Sequence, residues 1–108
     1  MGVPSRIQLR RAKGWRLPEG AVSVARPTPW GNPFVVGRDG TQAECVALHL
    51  QLLAGYICLS AKAEIEDQKA HLRYVEANLP ALRGKSVACW CRPGTACHAD
   101  TLLVLANR

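Results

Sequence analysis

No run of about 18 consecutive apolar residues occurs anywhere in the chain, so none of it reads as a membrane-spanning helix. The start is basic and never turns apolar, so no secretory leader is expected. Five cysteines make an odd count, which does not form a closed disulfide framework. These absences together lead to the expectation of a cytoplasmic, reduced protein whose thiols are free, metal-bound or reactive. Repeats and low-complexity tracts are missing as well. So are a dinucleotide fingerprint, a phosphate loop of the glycine–lysine type and a paired-acid motif, so no motif names a substrate. Acidic residues are scarce near the start. Arg6, Arg10, Arg11, Lys13, Arg16 and Arg26 are offset only by Glu19, a surplus of five within a formal net charge of +6. A local positive field of this kind favours an anionic partner, a nucleotide or a nucleic-acid backbone.

The 108 residues amount to a single domain, 1–108, and a hydrophobic fraction of 48% suffices for a core without disulfides or metal. Residues 5–11 alternate apolar and polar around Ile7 and Leu9 and predict an edge strand. Residues 21–26 predict a short strand with Val22 and Val24 on one face. Pro27, Pro29 and Pro33 exclude helix from the next stretch, and Phe34-Val35-Val36 predicts a further short strand. Thr41 and Glu44 fit a capping box, with a helix following. Its expected apolar face is Ala43, Val46, Ala47, Leu50, Leu53, Ala54 and Ile57. A second helix is expected over 62–79, with Ile65, Leu72, Val75 and Leu79 as its apolar stripe and Pro80 at its end. His49 and His71 are expected on the polar sides of these two helices. Cys45 and Cys58, flanking the first, are expected to be structural. Residues 86–91 predict a buried strand and 97–106 a last helix. This order predicts an α/β fold: a small mixed or parallel sheet with helices packed on it, a Rossmann-like layer architecture.

Cys89, Cys91, Cys97 and His98 lie at the join between that strand and the last helix. A helix start offers free amides and the positive end of a dipole, which favours thiolate. Three chemistries fit. In one, the four residues bind zinc; the residue types suit it, but a Cys-x-Cys in extended strand is expected to hold its sulfurs too far apart. In another, Cys91, or alternatively Cys97, is a nucleophile with His98 as its base. In the favoured third, the cysteines pack, no metal is bound, and the turn forms a ligand pocket in which His98, assisted by Asp100, does acid–base work.

Trp30-Gly31-Asn32-Pro33-Phe34 is the second unusual feature. Trp30 is expected to stack on a base, Gly31 to let the backbone approach a ligand, and Asn32 to read its edge. The competing reading folds the loop back so that Trp30 caps the core. If the strands before this loop and before Arg92 run parallel, both loops meet at one end of the sheet, where α/β proteins place ligands.

Several motifs occur in order: Lys13-Gly14-Trp15, Val24-Ala25-Arg26-Pro27, Trp30-Gly31-Asn32-Pro33-Phe34, Leu82-Arg83-Gly84-Lys85, Cys89-Trp90-Cys91 and Cys97-His98-Ala99-Asp100. In this the chain resembles the family called domain of unknown function 4326, over roughly residues 6–107. The resemblance implies a small protein of bacteria or their phages and assigns no activity and no catalytic residue.

The function expected from the residues is binding of a small anionic ligand, a nucleotide or nucleotide derivative. Arg16, Arg26 or Arg92 would pair with its phosphate, and Trp30, Gly31, Asn32 and Cys97 would contact it. Hydrolysis or glycosyl transfer is the expected chemistry, carried by His98, Asp100 and Cys91. The alternative is a non-catalytic nucleic-acid-binding or zinc-stabilised accessory module. An exposed edge strand also allows a homodimer, and no membrane partner is expected.

Overall fold

The computed structural model describes residues 3–108. Three short strands, β1 (Arg6–Gln8), β2 (Val22–Ser23) and β3 (Val87–Cys89), form one sheet in the order β1-β3-β2. Both pairings are parallel, with Ile7 and Ser23 each opposite Ala88. The central strand, Val-Ala-Cys, is buried along its whole length, as a strand covered on both faces must be. Parallel neighbours need long crossovers. The crossover between β2 and β3 carries two helices, α1 (Gln42–Leu53) and α2 (Ile65–Asn78), and a 3₁₀ turn over Leu79–Leu82. A last helix, α3 (His98–Ala106), returns against β3 and β1, α1 packs on α3, and α2 packs on α1. The α/β expectation therefore holds.

Local chemistry explains where the helices begin. The Thr41 hydroxyl accepts the Glu44 amide at 3.2 Å while the Glu44 carboxylate accepts the Thr41 amide at 3.0 Å, the reciprocal box that the sequence predicts. Helix α2 lacks a side-chain cap, but Glu66 and Asp67 sit in its first turn, where the helix dipole favours negative charge. Gln68, fully buried, ties the loop before α2 in place. Its Nε2 donates to the carbonyls of Cys58 and Ala63, and its Oε1 accepts the Cys58 amide.

Two expectations about the elements are corrected. Phe34-Val35-Val36 is not a strand, because the Val35 amide donates to the Asp39 carboxylate at 2.8 Å instead of to a neighbouring strand. Asp39 also receives the amides of Lys62 and Ala63, so one carboxylate fastens the turn before α1 to the turn before α2. Burial opposes its charge, yet these amides and Arg38 hold its pKa below the ordinary value. The buried face of α1 also differs from the apolar one expected. Cys45, His49 and Leu52 face inward, whereas Ala43 and Ala47 are exposed and Leu50 is 51% exposed. Helix α2 likewise buries Gln68, His71 and Val75, with Ile65 outside. Each helix thus spends inward positions on polar side chains, which is favourable only where those groups find partners.

One part of the core gathers Val24, Trp30, Val75, Leu82, Val87, Cys89, Cys97 and Leu102 between the sheet, α2 and α3. Phe34, Cys45, Leu52 and Ala63 form a second cluster under the loop that links α1 and α2.

Candidate functional site

A recess of about 270 Å³ opens at the carboxyl ends of β2 and β3. The parallel register is what brings the loop after β2 and the turn after β3 to the same end of the sheet. Arg26, Asn32, Phe34 and Val36 line it from the first loop; Cys89, Trp90, Cys91, Cys97 and His98 line it from the second. Gln42 and Cys45 close it from α1.

At its floor the sulfurs of Cys89, Cys91 and Cys97 lie within 4.8 Å of one another. Strand β3 ends at Cys89 and the chain bends at Trp90 and Cys91, so the sulfurs are not held apart as an unbroken strand would hold them. The expectation that this spacing forbids a shared ion is therefore corrected: the three thiols could hold a metal. Cys97 is the N-cap residue of α3, in extended conformation with φ −153° and ψ 140°. Its Sγ is hydrogen-bonded to the Cys89 Sγ at 3.1 Å and lies 3.8 Å from His98 Nδ1. The hydrogen bond with Cys89, aided by His98 and the Ala99 amide, holds the Cys97 thiol far below its ordinary pKa. The same hydrogen bond, with burial, pushes Cys89 up. Burial, and then the hydrogen bond to Cys97, raises Cys91 to about 11.

Second-tier contacts fix this floor. Arg6 of β1 donates to the carbonyls of Arg92 and Thr95, both at 2.8 Å, and pairs with Asp100 at 2.9 Å. It thus clamps the connection that carries Cys91 and Cys97. From α1, Gln42 Nε2 donates to the Ala96 carbonyl and lies 3.5 Å from Cys91 Sγ. Neither residue is singled out by the sequence, since their partners are backbone atoms far away in the chain.

The structure separates the expected site residues into two groups. His98, Cys91, Cys97, Arg26 and Asn32 come together in the recess. Trp30, Gly31, Arg16, Arg92 and Asp100 do not line it. Trp30 is 5% exposed and meets Tyr74 edge-on, with ring centroids 5.1 Å apart, so it belongs to the core and has no face to offer a base. Gly31 is needed for a different approach than expected: a Cβ there would lie 2.5 Å from Arg26 Cγ. Asn32 spends its side chain on the fold, donating to the Cys45 carbonyl and accepting the Phe34 amide. Arg16 and Arg92 are exposed away from the recess, and Asp100 is taken by Arg6. The aromatic at the rim is instead Trp90, 47% exposed, with the Arg11 guanidinium 5.1 Å from its ring centroid.

Behind the floor lies a group of imidazoles, of which His98 also reaches the recess. His49 and His71, expected at the surface, are buried. Their Nε2 atoms are 2.8 Å apart, and His71 Nδ1 lies 3.1 Å from the Pro29 carbonyl. A carbonyl only accepts, so His71 carries its proton on Nδ1 and takes the His49 Nε2 proton on its other nitrogen. His49 Nδ1 is then a bare acceptor, without a partner among the described residues. Burial, followed by repulsion from the neighbouring imidazoles, lowers His49 to about 2. Burial also lowers His71 to about 4, against the opposing hydrogen bond to Pro29. The His98 ring meets His49 edge-on at 5.5 Å and donates from Nε2 to the Val24 carbonyl at 2.7 Å.

A family model described as Domain of unknown function (DUF4326) matches residues 7–108. No curated protein and no solved structure matches the chain. With the match spanning nearly the full length, from β1 through α3, the chain belongs to the family described as Domain of unknown function (DUF4326).

Proposed function

We propose that this chain binds a small anionic ligand, a nucleotide or nucleotide derivative, in the recess between the 25–36 loop and the 89–98 turn. The observation that carries the reading is the character of the lining. Arg26 is there, no Asp or Glu is, and Phe34, Val36 and Trp90 supply apolar surface. One cation with an apolar, partly aromatic wall suits a ligand with a charged end and a flat ring. Trp90 takes the stacking role, since Trp30 is in the core. Chemistry on the ligand, hydrolysis or glycosyl transfer, falls to the lining groups Cys91 and His98. Calorimetric titration with AMP and ADP tests this. Saturable binding should weaken about tenfold in Arg26→Ala and in Trp90→Ala, the size expected for one charge-assisted contact or one stacked ring. Binding that is equal in wild type and both variants would sink the reading.

A second reading is favoured by a specific observation. The three-thiol floor fits the chemistry of a zinc-stabilised accessory module, for which zinc would be the resident cofactor. The exposed Trp90 beside Arg11 extends that reading to nucleic acid. Tight binding to long nucleic acid with a steep salt slope, and none to mononucleotides, would favour it.

A further inference from the structure

We propose that Cys89, Cys91 and Cys97 form a three-thiolate zinc site whose fourth coordination position faces the recess. The inference rests on the ligand-pocket reading only for what occupies that position; the metal set stands on its own geometry.

Three features carry it. First, the donors converge from separate structural positions: the end of β3, the bend after it, and the cap of α3. A tetrahedral zinc with bonds of about 2.3 Å needs sulfurs about 3.8 Å apart. The observed spacing, 3.1 Å for Cys89–Cys97 and within 4.8 Å for all three, brackets that value. Small side-chain rotations suffice to close the set. Second, the supporting contacts are those that hold metal ligands in place. Arg6 fixes the 92–95 backbone and Gln42 fixes Ala96, so Cys91 and Cys97 sit on a clamped connection. Third, the set is incomplete on the side that opens. The three sulfurs satisfy the mutual spacing and His98 does not join them, while all three cysteines line the recess. Structural zinc sites close with four protein ligands; sites with three keep a position for water or substrate. Soft thiolates favour zinc over magnesium or calcium.

The binding step balances without redox change. One zinc(II) ion and the three cysteines, each giving up its thiol proton to solvent where it still carries one, form a zinc trithiolate of net charge −1. Water, or a donor atom of the pocket ligand, completes the coordination. Arg6, whose charge acts on Cys91, and Arg26 on the recess wall are cations that offset the negative site.

The experiment uses the full chain, reduced and stripped with chelator, then titrated with zinc and with cobalt(II) as a spectroscopic substitute. One ion per chain is expected, with thiolate-to-cobalt charge transfer and tetrahedral ligand-field bands. Loss of an outer partner alone costs roughly 10–100-fold in affinity, so Cys91→Ser should lose more than about 100-fold. Cys58→Ser, remote from the set, should bind as wild type does. Circular dichroism of Cys91→Ser, whose side chain is half-buried, checks that its fold is retained. Azide or AMP should shift the ligand-field bands, because the fourth position is open. Failure to bind one ion, or equal affinity in Cys91→Ser, overturns the site. Cobalt bands unmoved by azide but altered in His98→Gln overturn the open position, since the imidazole would then be the fourth ligand. Zinc binding with no AMP affinity upholds the metal site while removing the nucleotide reading. AMP binding by stripped protein with no zinc affinity does the reverse.

Discussion

Two clusters of three like side chains lie back to back in this molecule, and they differ in how their polar atoms are satisfied. His49 and His71 are sealed, His98 reaches the recess wall, and each donates to a fixed acceptor: His49 to His71, His71 to Pro29, His98 to Val24. Cys89, Cys91 and Cys97 line an open recess and are arranged chiefly around one another. Buried polar groups with directed partners are scaffold, because each donated hydrogen bond offsets the cost of taking the ring out of water. Groups that line a recess and pair mainly among themselves keep capacity for a ligand. The comparison assigns stability to the His49–His71 pair and chemistry to the recess lining, the thiols with His98, and variants on either side can break it.

The largest effect should come from acid. In the folded chain His49 and His71 titrate at about 2 and about 4, below their ordinary 6.5. An unfolded chain therefore takes up protons first as pH falls, so stability is full above about 6.5 and is lost on acidification. Each histidine contributes a slope approaching about 1.4 kcal/mol per pH unit, ending for each as pH reaches its folded value. Together they should lower the unfolding free energy by about 3 kcal/mol between pH 6.5 and 5. Urea midpoints measured across that range test it, and a flat profile would show that the imidazoles are not held neutral.

Next in size is His71→Ala. It removes the acceptor for His49 and leaves a cavity beside Pro29, and should cost about 2–3 kcal/mol in the same assay at pH 7. It should also flatten part of the acid slope, a sign that simple loss of packing would not give. The smallest effect is expected on the thiol side. Cys91→Ser, half-buried at the mouth of the floor, should change stability of the metal-free protein by less than about 0.5 kcal/mol. A loss as large as that of His71→Ala would erase the distinction between scaffold and site.

Much of the fold was legible in the residues. The Thr41–Glu44 box, the buried run at Val87–Cys89 and the helix start after Cys97 depend on neighbours within a few positions, where capping and periodicity act. The candidate site was legible in its location and less so in its membership. Trp90 stands at the recess and Trp30 in the core, because a tryptophan in a proline-rich loop and one just after a strand give no local sign of which will meet Tyr74. His49 and His71 were misplaced for a similar reason. A histidine among apolar residues reads as surface until the partner that makes its burial favourable is known, and that partner lies on another helix. Gln42 carried no signal and Arg6 only its place in the basic start, since both act on distant backbone carbonyls.

By itself, the sequence determined the layered α/β class, the helix boundaries near their caps, and the junction of cysteines with histidine as the place of interest. These follow from short-range rules of capping, periodicity and turn chemistry. Tertiary structure alone decided that β2 and β3 run parallel, that the bend after Cys89 brings three sulfurs within 4.8 Å, and that the imidazoles pair behind them. Those outcomes depend on how a chain direction, a crossover and a clamp such as Arg6 combine in space. Separation along the sequence does not encode distance between sulfur atoms.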